Sequence, residues 1–298
     1  MKMDQLSIGF IGLGSLGLPV AMNLLEKGHS LKVYNRTPQK AAPLVEKGAA
    51  QADSIPELAQ SCNVVVSLVS NDDALQAITE GPEGIVENLT KDGVHISMST
   101  VSPALADELR ALHRQHDSFY VAAPILGRPE AARARQLSLC VAGHKDAKEK
   151  VARLWSDMGA QHVYDYGERP AAANVIKLCV NYMIAAQIEV MSEAFALSEK
   201  NGVPSSALFD MISQGLFNNP ITKNYGALLL QHSFEPASFA LELGLKDLNL
   251  VLDAAGSRGV SMPVANVVKD RLQQSIARGR GQMDWSAFSL VTKEEAGL

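Results

Sequence analysis

Three polar side chains interrupt a long apolar stretch near the middle of the chain. Within residues 171 to 200, Asn174, Lys177 and Asn181 follow one another at spacings of three and four, which places them on one face of an α-helix. Burial of an ammonium without a partner lowers its pKa, and a lysine tuned in this way can give a proton to a carbonyl oxygen or take one from a hydroxyl group. The pattern thus offers Lys177 for proton transfer, although a lysine that extends to solvent at a domain edge has the same spacing.

A glycine pattern near the start of the chain is typical of a dinucleotide site. Gly12-Leu13-Gly14-Ser15-Leu16-Gly17 follows an apolar run and precedes a segment of helical periodicity. In such a site the first glycine permits a tight turn, the second lets the backbone approach a pyrophosphate, and the third lets helix and strand pack closely. Glycines also cluster in ordinary turns, so the prediction that residues 12 to 17 bind a cofactor depends on the flanking strand and helix.

The residues after the second apolar run indicate which dinucleotide is bound. Leu31 to Tyr34 is followed by Asn35, Arg36 and Thr37, where an NAD site usually carries Asp or Glu for the ribose hydroxyl. An amide, a guanidinium and a hydroxyl can bind a 2′-phosphate and offer no carboxylate. NADP is therefore predicted in preference to NAD; the alternative is that Arg36 is a solvated surface residue and Thr37 a helix cap.

Short β-branched runs alternate with amphipathic segments up to residue 166, a pattern typical of a parallel sheet covered by helices. We predict an α/β first domain, residues 1–166, with a Rossmann-type doubly wound parallel sheet that binds NADP. Val69 and Ser70, in a strand-to-helix loop on the adenosine side, are further candidate cofactor contacts. The predicted strands are 6–11, 31–34, 64–69, 94–97, 119–122 and 137–142, and the predicted helices are 38–47, 103–116 and 146–158, with caps at Thr37, Ser102 and Lys145 or Asp146.

Helical periodicity dominates the rest of the chain, residues 167–298, notably over 171–200 and 239–257. We predict an all-α C-terminal domain for substrate binding and dimerisation, and a first helix long enough to bridge the two domains. A helix so long and apolar leaves hydrophobic surface that one small domain can hardly cover, which predicts a homodimer.

The composition argues against several classes of partner. The chain has a formal charge of −5 and no run of Lys or Arg longer than a pair, so we expect no nucleic-acid partner. Polar residues interrupt the apolar helix, which argues against a membrane span, and the first ten residues lack the pattern of a signal peptide. Cys62, Cys140 and Cys179 lie far apart among apolar neighbours, as expected for reduced core thiols of a cytoplasmic protein without a metal site.

Motifs spread over nearly the whole chain resemble those of the β-hydroxyacid dehydrogenase family, which includes 3-hydroxyisobutyrate dehydrogenases and glyoxylate/succinic semialdehyde reductases. Their order and separation are more specific than any single glycine pattern. The segments that carry the resemblance are Ile8 to Pro19 for the cofactor fingerprint, Ser99 to Pro103 beside the nicotinamide, Ala123 to Gly127 in the substrate loop, Ala171 to Asn181 in the catalytic helix and Lys246 to Asp253 on the cofactor side.

The resemblance implies an NADPH-dependent oxidoreductase that transfers a hydride between the nicotinamide and a small carbonyl or hydroxyl compound, such as a semialdehyde or a hydroxyacid. It implies that Lys177 is the general acid in reduction, and that Asn181 is a hydrogen-bond partner of the reacting oxygen or of a nearby substrate group. The other residues to which it assigns roles are Ser99 and Thr100 in the nicotinamide pocket, Phe239 as a cover over the pocket, and Lys246 in closing over the cofactor.

Two positions depart from the family pattern. Ser97 stands where the family commonly has Asp, which puts the anchoring role of that side chain in doubt. The substrate loop, usually Ser-Gly-Gly, reads Leu126-Gly127-Arg128 here, and the loss of a hydroxyl that grips a carboxylate would reject a short hydroxyacid bound in the usual way. Arg128 either restores anion binding or faces water, so the expected substrate is either a semialdehyde with a displaced carboxylate or a less polar carbonyl.

Other functions fit parts of the sequence. A non-catalytic protein that senses NADPH would suit the changes at Ser97 and Leu126, whereas Lys177 and Asn181 argue against an abandoned site. An imine or neutral-ketone reductase shares the fold, but that group generally lacks the lysine. A decarboxylating sugar-acid dehydrogenase is usually much longer and carries a His where this chain has Val180.

Overall fold

The first unit of the protein is built on a mixed β-sheet whose centre is parallel. The structure is a computed structural model that describes residues 6–298. The strands are β1 (Ile8–Ile11), β2 (Leu31–Tyr34), β3 (Ala50–Gln51), β4 (Val64–Ser67), β5 (Val94–Ser97), β6 (Phe119–Ala122), β7 (Ile125–Leu126), β8 (Leu137–Gly143) and β9 (Ala160–Asp165). They lie in the order β3-β2-β1-β4-β5-β6-β8-β7, with β9 beside β8. Neighbouring strands are parallel along the run β3-β2-β1-β4-β5-β6, whereas β8 is antiparallel to both β6 and β7.

Helices connect these strands. The longest of them in this unit begins where the Ser102 hydroxyl accepts a hydrogen bond from the Leu105 amide at 3.1 Å, which confirms the predicted cap. Thr37 precedes a 3₁₀ turn, Pro38–Ala41, but its side chain does not cap it. The helices are α1 (Gly17–Glu26), α2 (Ala42–Val45), α3 (Ile55–Gln60), α4 (Asp72–Thr79), α5 (Ile85–Asn88), α6 (Pro103–Gln115), α7 (Pro129–Arg133), α8 (Lys145–Lys150) and α9 (Leu154–Asp157).

Burial explains the apolar composition of the central strands. Every residue of β1, β4 and β5 is buried, as expected for a parallel sheet with helices on both faces. Phe10 and Val66 belong to one core cluster together with Leu24 of α1. Val65 belongs to a different cluster, together with Leu58 of α3. Alternate residues of neighbouring strands therefore enter separate cores, and the parallel centre of the predicted sheet is confirmed.

Some predicted elements of this unit are corrected by the structure. The helix predicted over 146–158 is two short helices, and α8 begins after His144, so neither Lys145 nor Asp146 is its cap. Strands β3, β7 and β9 are not predicted, because two-residue strands carry no periodicity and β9 is mostly exposed. The antiparallel direction of β8 is also unpredicted, since an apolar run does not encode strand direction.

The second unit is helical, as predicted. Its core contains Leu241, Leu248, Leu272 and Phe288 around Trp285, whose indole N–H donates to the Tyr225 hydroxyl at 3.0 Å. The helices are α10 (Pro170–Lys200), α11 (Ser205–Gln214), α12 (Pro220–Gln231), α13 (Leu241–Gly256), α14 (Pro263–Ala277) and α15 (Ser289–Glu295).

Helix α10 belongs to both units, because one unit ends at Lys177 and the other spans Leu178–Leu298. The boundary predicted from sequence, between residues 166 and 167, precedes this helix. By length and composition alone α10 could cross a membrane. This is weak support for a span, because the core helix of a soluble protein passes the same test. Its polar residues include Glu189, which is buried and pairs with Arg271 of α14 at 2.9 Å.

The cysteines are free, and two of the three are core thiols. Cys62 and Cys140 are buried as predicted, whereas Cys179 is exposed on α10. Its apolar neighbours in the sequence lie on other faces of the helix, so the prediction of a third core thiol is wrong.

Candidate active site

The loops at one end of the sheet carry most of the predicted cofactor and substrate residues. Strands β1, β2, β4, β5 and β6 are parallel, so their carboxyl ends share one edge. Strands β2 and β4 lie on opposite sides of β1, and a dinucleotide binds at such a reversal of strand order in sheets of this kind. The segments that follow these strand ends are residues 12–17, 35–37, 68–70, 98–102 and 123–128.

The glycine turn after β1 has the shape of a pyrophosphate cradle. Gly12 has a φ of +98°, and a Cβ atom there would collide with the Leu68 carbonyl, so the fold itself requires this glycine. Gly14 differs, because apart from Gly14 and its two chain neighbours no atom of residues 6–298 lies within 4 Å of the position its Cβ would occupy. The open space at Gly14, together with an α1 N-terminus that no side chain caps, fits a phosphate group of a dinucleotide.

In the turn after β2, the Asn35 side chain forms hydrogen bonds with the backbone and the Arg36 side chain is exposed. Asn35 accepts a hydrogen bond from the Leu13 amide at 2.8 Å and donates one to the Thr37 carbonyl at 2.9 Å. Asn35 therefore joins the glycine turn to the 35–37 turn through its side chain. Arg36 and Thr37 are exposed, and Arg36 forms no ion pair with residues 6–298. Both side chains are therefore accessible to a ligand, and a guanidinium and a hydroxyl can both donate to a phosphate group.

The segment after β5 is held by hydrogen bonds from three other elements. The buried Ser99 hydroxyl accepts from the Val69 amide at 2.8 Å, and the Asp72 carboxylate accepts from the Ser102 amide at 3.0 Å. The Asn174 side chain donates to the Val101 carbonyl at 3.2 Å. Ser99 thus ties the β5 loop to the β4 loop that contains Ser70, which is exposed. Thr100, half-buried between these anchors, is held in a defined position.

Lys177 lies in the last turn of the first unit and is buried. Only 8% of the residue is exposed, so the lysine does not extend freely into solvent. Cys140 of β8 lies close enough for the Lys177 charge to oppose the rise in the thiol pKa that burial causes. Lys177 is therefore a candidate proton donor whose side chain is largely shielded from bulk water.

The second unit carries a buried carboxylate that joins two predicted site residues. The Asn181 side chain donates to the Asp247 carboxylate at 2.6 Å, and the Lys246 ammonium pairs with the other carboxylate oxygen at 2.8 Å. Asp247 is only 1% exposed, so these partners offset much of the cost of burying its charge. Asp247 has no role predicted from the sequence, although it directly follows Lys246. Asp72 likewise has none, and its contact depends on a residue 30 positions away.

The remaining predicted substrate residues differ in their surroundings. Leu126 is half-buried at the end of β7 and packs against the cluster that contains Cys140. Gly127 is exposed with a φ of +154°, and Arg128 is half-buried at the N-cap of α7. Phe239 is half-buried and forms an edge-to-face contact with Trp285, with ring centroids 5.1 Å apart.

A cluster of side chains that could bind a metal ion is absent from the described part of the chain. Residues 6–298 contain no group of three or more His, Cys, Asp and Glu side chains that could hold a metal ion. The prediction that the site uses no metal stays a prediction.

Comparisons with known proteins cover almost the entire chain. Residues 7–167 match the family described as the NAD binding domain of 6-phosphogluconate dehydrogenase, and residues 171–291 match the family described as NAD-binding of NADP-dependent 3-hydroxyisobutyrate dehydrogenase. The uncharacterized oxidoreductase YfjR of Bacillus subtilis is 38% identical over 283 residues, which are 95% of this chain and 98% of that protein.

Two further relatives connect the chain to named activities. Glyoxylate/succinic semialdehyde reductase 1 of Arabidopsis thaliana is 30% identical over 288 residues, which are 97% of this chain and 99% of that protein. A structure of 3-hydroxyisobutyrate dehydrogenase from Mycobacterium tuberculosis with L-serine superposes with a TM-score of 0.85 at 26% identity, covering 96% of this chain and 99% of the other. The chain therefore belongs to the β-hydroxyacid dehydrogenase family of NAD(P)-dependent dehydrogenases.

Proposed function

We propose that the protein is an NADPH-dependent reductase of a small carbonyl compound in which Lys177 is the general acid. The observation that carries the proposal is the burial of Lys177 on α10, one turn after Asn174 reaches the segment that follows β5. Bound NADPH would supply the hydride. Lys177 would give its proton to the carbonyl oxygen as negative charge develops there. Proton donation of this kind stabilises the developing charge more where water is excluded than it does in bulk water.

The other predicted residues would hold the reacting groups. Gly12 to Gly17, Arg36 and Thr37 would bind the phosphates of the cofactor, and the 69–70 and 99–100 segments would shape its pocket. Asn181, oriented by Asp247, would hydrogen-bond the reacting oxygen or a neighbouring substrate group. Phe239 and Lys246 would cover the pocket and the cofactor, as the family resemblance implies.

The substrate class follows from the loop at Leu126 to Arg128. Leu126 gives this loop an apolar side chain where the family commonly has a hydroxyl, which favours a carbonyl compound without a carboxylate at the usual place. Arg128, half-buried at the start of α7, favours a semialdehyde whose carboxylate is displaced toward the guanidinium. The name of the Arabidopsis relative, a succinic semialdehyde reductase, supports the second interpretation.

Replacing the lysine tests the proposal. With Lys177→Ala, kcat for NADPH oxidation should fall by about 10²–10⁴-fold, the usual contribution of a general acid, while the Kd for NADPH stays nearly unchanged. The assay uses a panel of semialdehydes, α-ketoacids and neutral aldehydes or ketones. Lys200→Ala, an exposed lysine at the end of the same helix, is the matched control and should retain wild-type turnover.

The outcomes separate the alternatives. Retained turnover in Lys177→Ala would remove the lysine from the mechanism. Activity with semialdehydes alone favours Arg128 as a carboxylate anchor, and activity with neutral carbonyls alone favours the effect of Leu126. Tight NADPH binding without turnover of any carbonyl in the wild type would support a sensor instead of a reductase.

A cytoplasmic location is part of the proposal. The buried free thiols Cys62 and Cys140 favour a reducing compartment.

A further inference from the structure

Asn174, Lys177 and Asn181 form a polar stripe along one face of α10. Neither the family resemblance nor the proposed function gives Asn174 a role. The residue is 1% exposed, and its Nδ2 donates to the Val101 carbonyl at 3.2 Å. A carbonyl oxygen can only accept, so this contact determines which end of the amide is nitrogen and which is oxygen. The Asn174 oxygen, Oδ1, must therefore point away from Val101.

Oδ1 of Asn174 is buried and has no hydrogen-bond partner among residues 6–298. Buried side-chain oxygens almost always have a partner, because an unpaired acceptor loses its bond to water and gains nothing in return. An unpaired acceptor beside the predicted nicotinamide segment therefore points to a donor that arrives with a ligand.

The position of Asn174 is determined from both ends. Its backbone belongs to α10, three residues before Lys177. Its Nδ2 bonds the segment after β5, which hydrogen bonds with Val69 and Asp72 also hold. The free oxygen can therefore adjust little, and the ligand must supply its donor near the Val101 carbonyl.

The cofactor carries a suitable donor. An aldehyde and a carboxylate contain only acceptors, whereas the carboxamide of a nicotinamide has an NH₂ group with two donors. We propose that Asn174 is a cofactor-binding residue whose Oδ1 accepts an N–H from the nicotinamide carboxamide. The proposal rests on the proposed function only in requiring that a nicotinamide cofactor binds at this segment.

A cofactor analogue tests this directly. In 3-acetylpyridine adenine dinucleotide phosphate a methyl ketone replaces the carboxamide, so the donor is absent while the ring and phosphates are kept. The Kd of NADP⁺ and of this analogue would be measured by calorimetry, which needs no turnover. The wild type should bind the analogue roughly 5- to 20-fold more weakly, as expected when one buried acceptor loses its donor. In Asn174→Ala the ratio of the two Kd values should fall close to one.

Asn23→Ala is the matched control. Asn23 is also a buried asparagine of the first unit, and its Nδ2 donates to the carbonyls of Ala132 and Met158 at 2.8 and 3.2 Å. Its loss removes comparable hydrogen bonds, so Asn23→Ala should retain the wild-type ratio. A ratio that is the same in the wild type and in Asn174→Ala would overturn the proposal.

The result can be separated from the other proposals. If Asn174→Ala does not fold, the wild type alone decides: a 5-fold or larger preference supports the contact, and equal affinity for cofactor and analogue overturns it. The same comparison with NAD⁺ and its acetylpyridine analogue makes the result independent of the Arg36 argument. A protein that binds the cofactor and the analogue but reduces no carbonyl would contradict the proposed function. The ratio of their Kd values would still test the role of Asn174.

Discussion

Two side chains that the sequence predicts as ligand contacts form hydrogen bonds with the backbone. Asn35 bonds Leu13 and Thr37, and Ser99 bonds the Val69 amide. These hydrogen bonds hold the loops in shape, and the ligand contacts predicted for the same two residues stay predictions. At the strand ends, residue type alone therefore does not show which atoms of a side chain are already bonded within the protein.

Arg36 is the residue that we expect to select the cofactor. Arg36→Ala should weaken NADPH binding by about 10- to 100-fold, the loss of a charge-assisted contact with the 2′-phosphate, and leave NADH binding nearly unchanged. Fluorescence titration of both cofactors measures this. Lys40→Ala, another exposed cation nearby, should alter neither affinity by more than a small factor. Comparable affinity of the wild type for NADH and NADPH would contradict the selection by Arg36.

At the scale of elements, a buried polar chain joins β4, β5 and α6. Ser67 contacts His95 at 2.8 Å, His95 contacts His113 at 3.1 Å, and His113 contacts Ser118 at 2.8 Å. Both histidines are fully buried. Burial lowers the pKa of His95 to about 3, and burial together with His95 lowers the pKa of His113 well below its usual value. Both rings are therefore neutral in the folded protein near neutral pH.

The neutral pair makes the stability of the first unit depend on pH. The unfolded chain protonates these histidines as the pH falls through about 6.5, whereas the folded protein keeps them neutral to much lower pH. The free energy of unfolding therefore has its full value well above pH 6.5. Below pH 6.5 it falls by about 1.4 kcal/mol per histidine for each pH unit. Urea unfolding of the wild type between pH 5 and 8 should show this slope, and His95→Gln combined with His113→Gln should flatten it.

His162→Gln is the control for this slope. His162 is exposed on β9, so its replacement should leave the pH dependence of the urea midpoint as in the wild type. An identical slope in the wild type and in the double variant would show that the buried pair does not control stability.

At the scale of the whole molecule, α10 presents apolar side chains that residues 6–298 leave exposed. Met183, Val190 and Leu197 are 65%, 60% and 67% exposed, and their spacing of seven places them along one side of the helix. Single exposed apolar residues are common, but an aligned row on one helix indicates an interaction surface. We propose that a second copy of the chain packs on this row and forms a homodimer.

Charges on this row should separate the copies. Met183→Glu combined with Val190→Glu should give a particle of 31.9 kDa, the mass of one chain, in light scattering at micromolar concentration, because each copy would bury two carboxylates without partners at such an interface. The wild type should have twice that mass. Lys200→Gln, a change at an exposed polar position of the same helix, should leave the dimer intact. A monomeric wild type would refute the proposal.

Local patterns in the sequence are sufficient for the central strands, for the extent of α10, for the glycine turn and for the stripe with Lys177, since each reflects burial on a repeating face of one element. The direction of β8, the division of the 146–158 helix, the exposure of Cys179 and the His95–His113 pair required the tertiary structure. So did the contacts of Asn174 with Val101 and of Asn181 with Asp247, whose partners are 73 and 66 residues apart. Periodicity records which face of an element is buried but not which distant residues pack against that face.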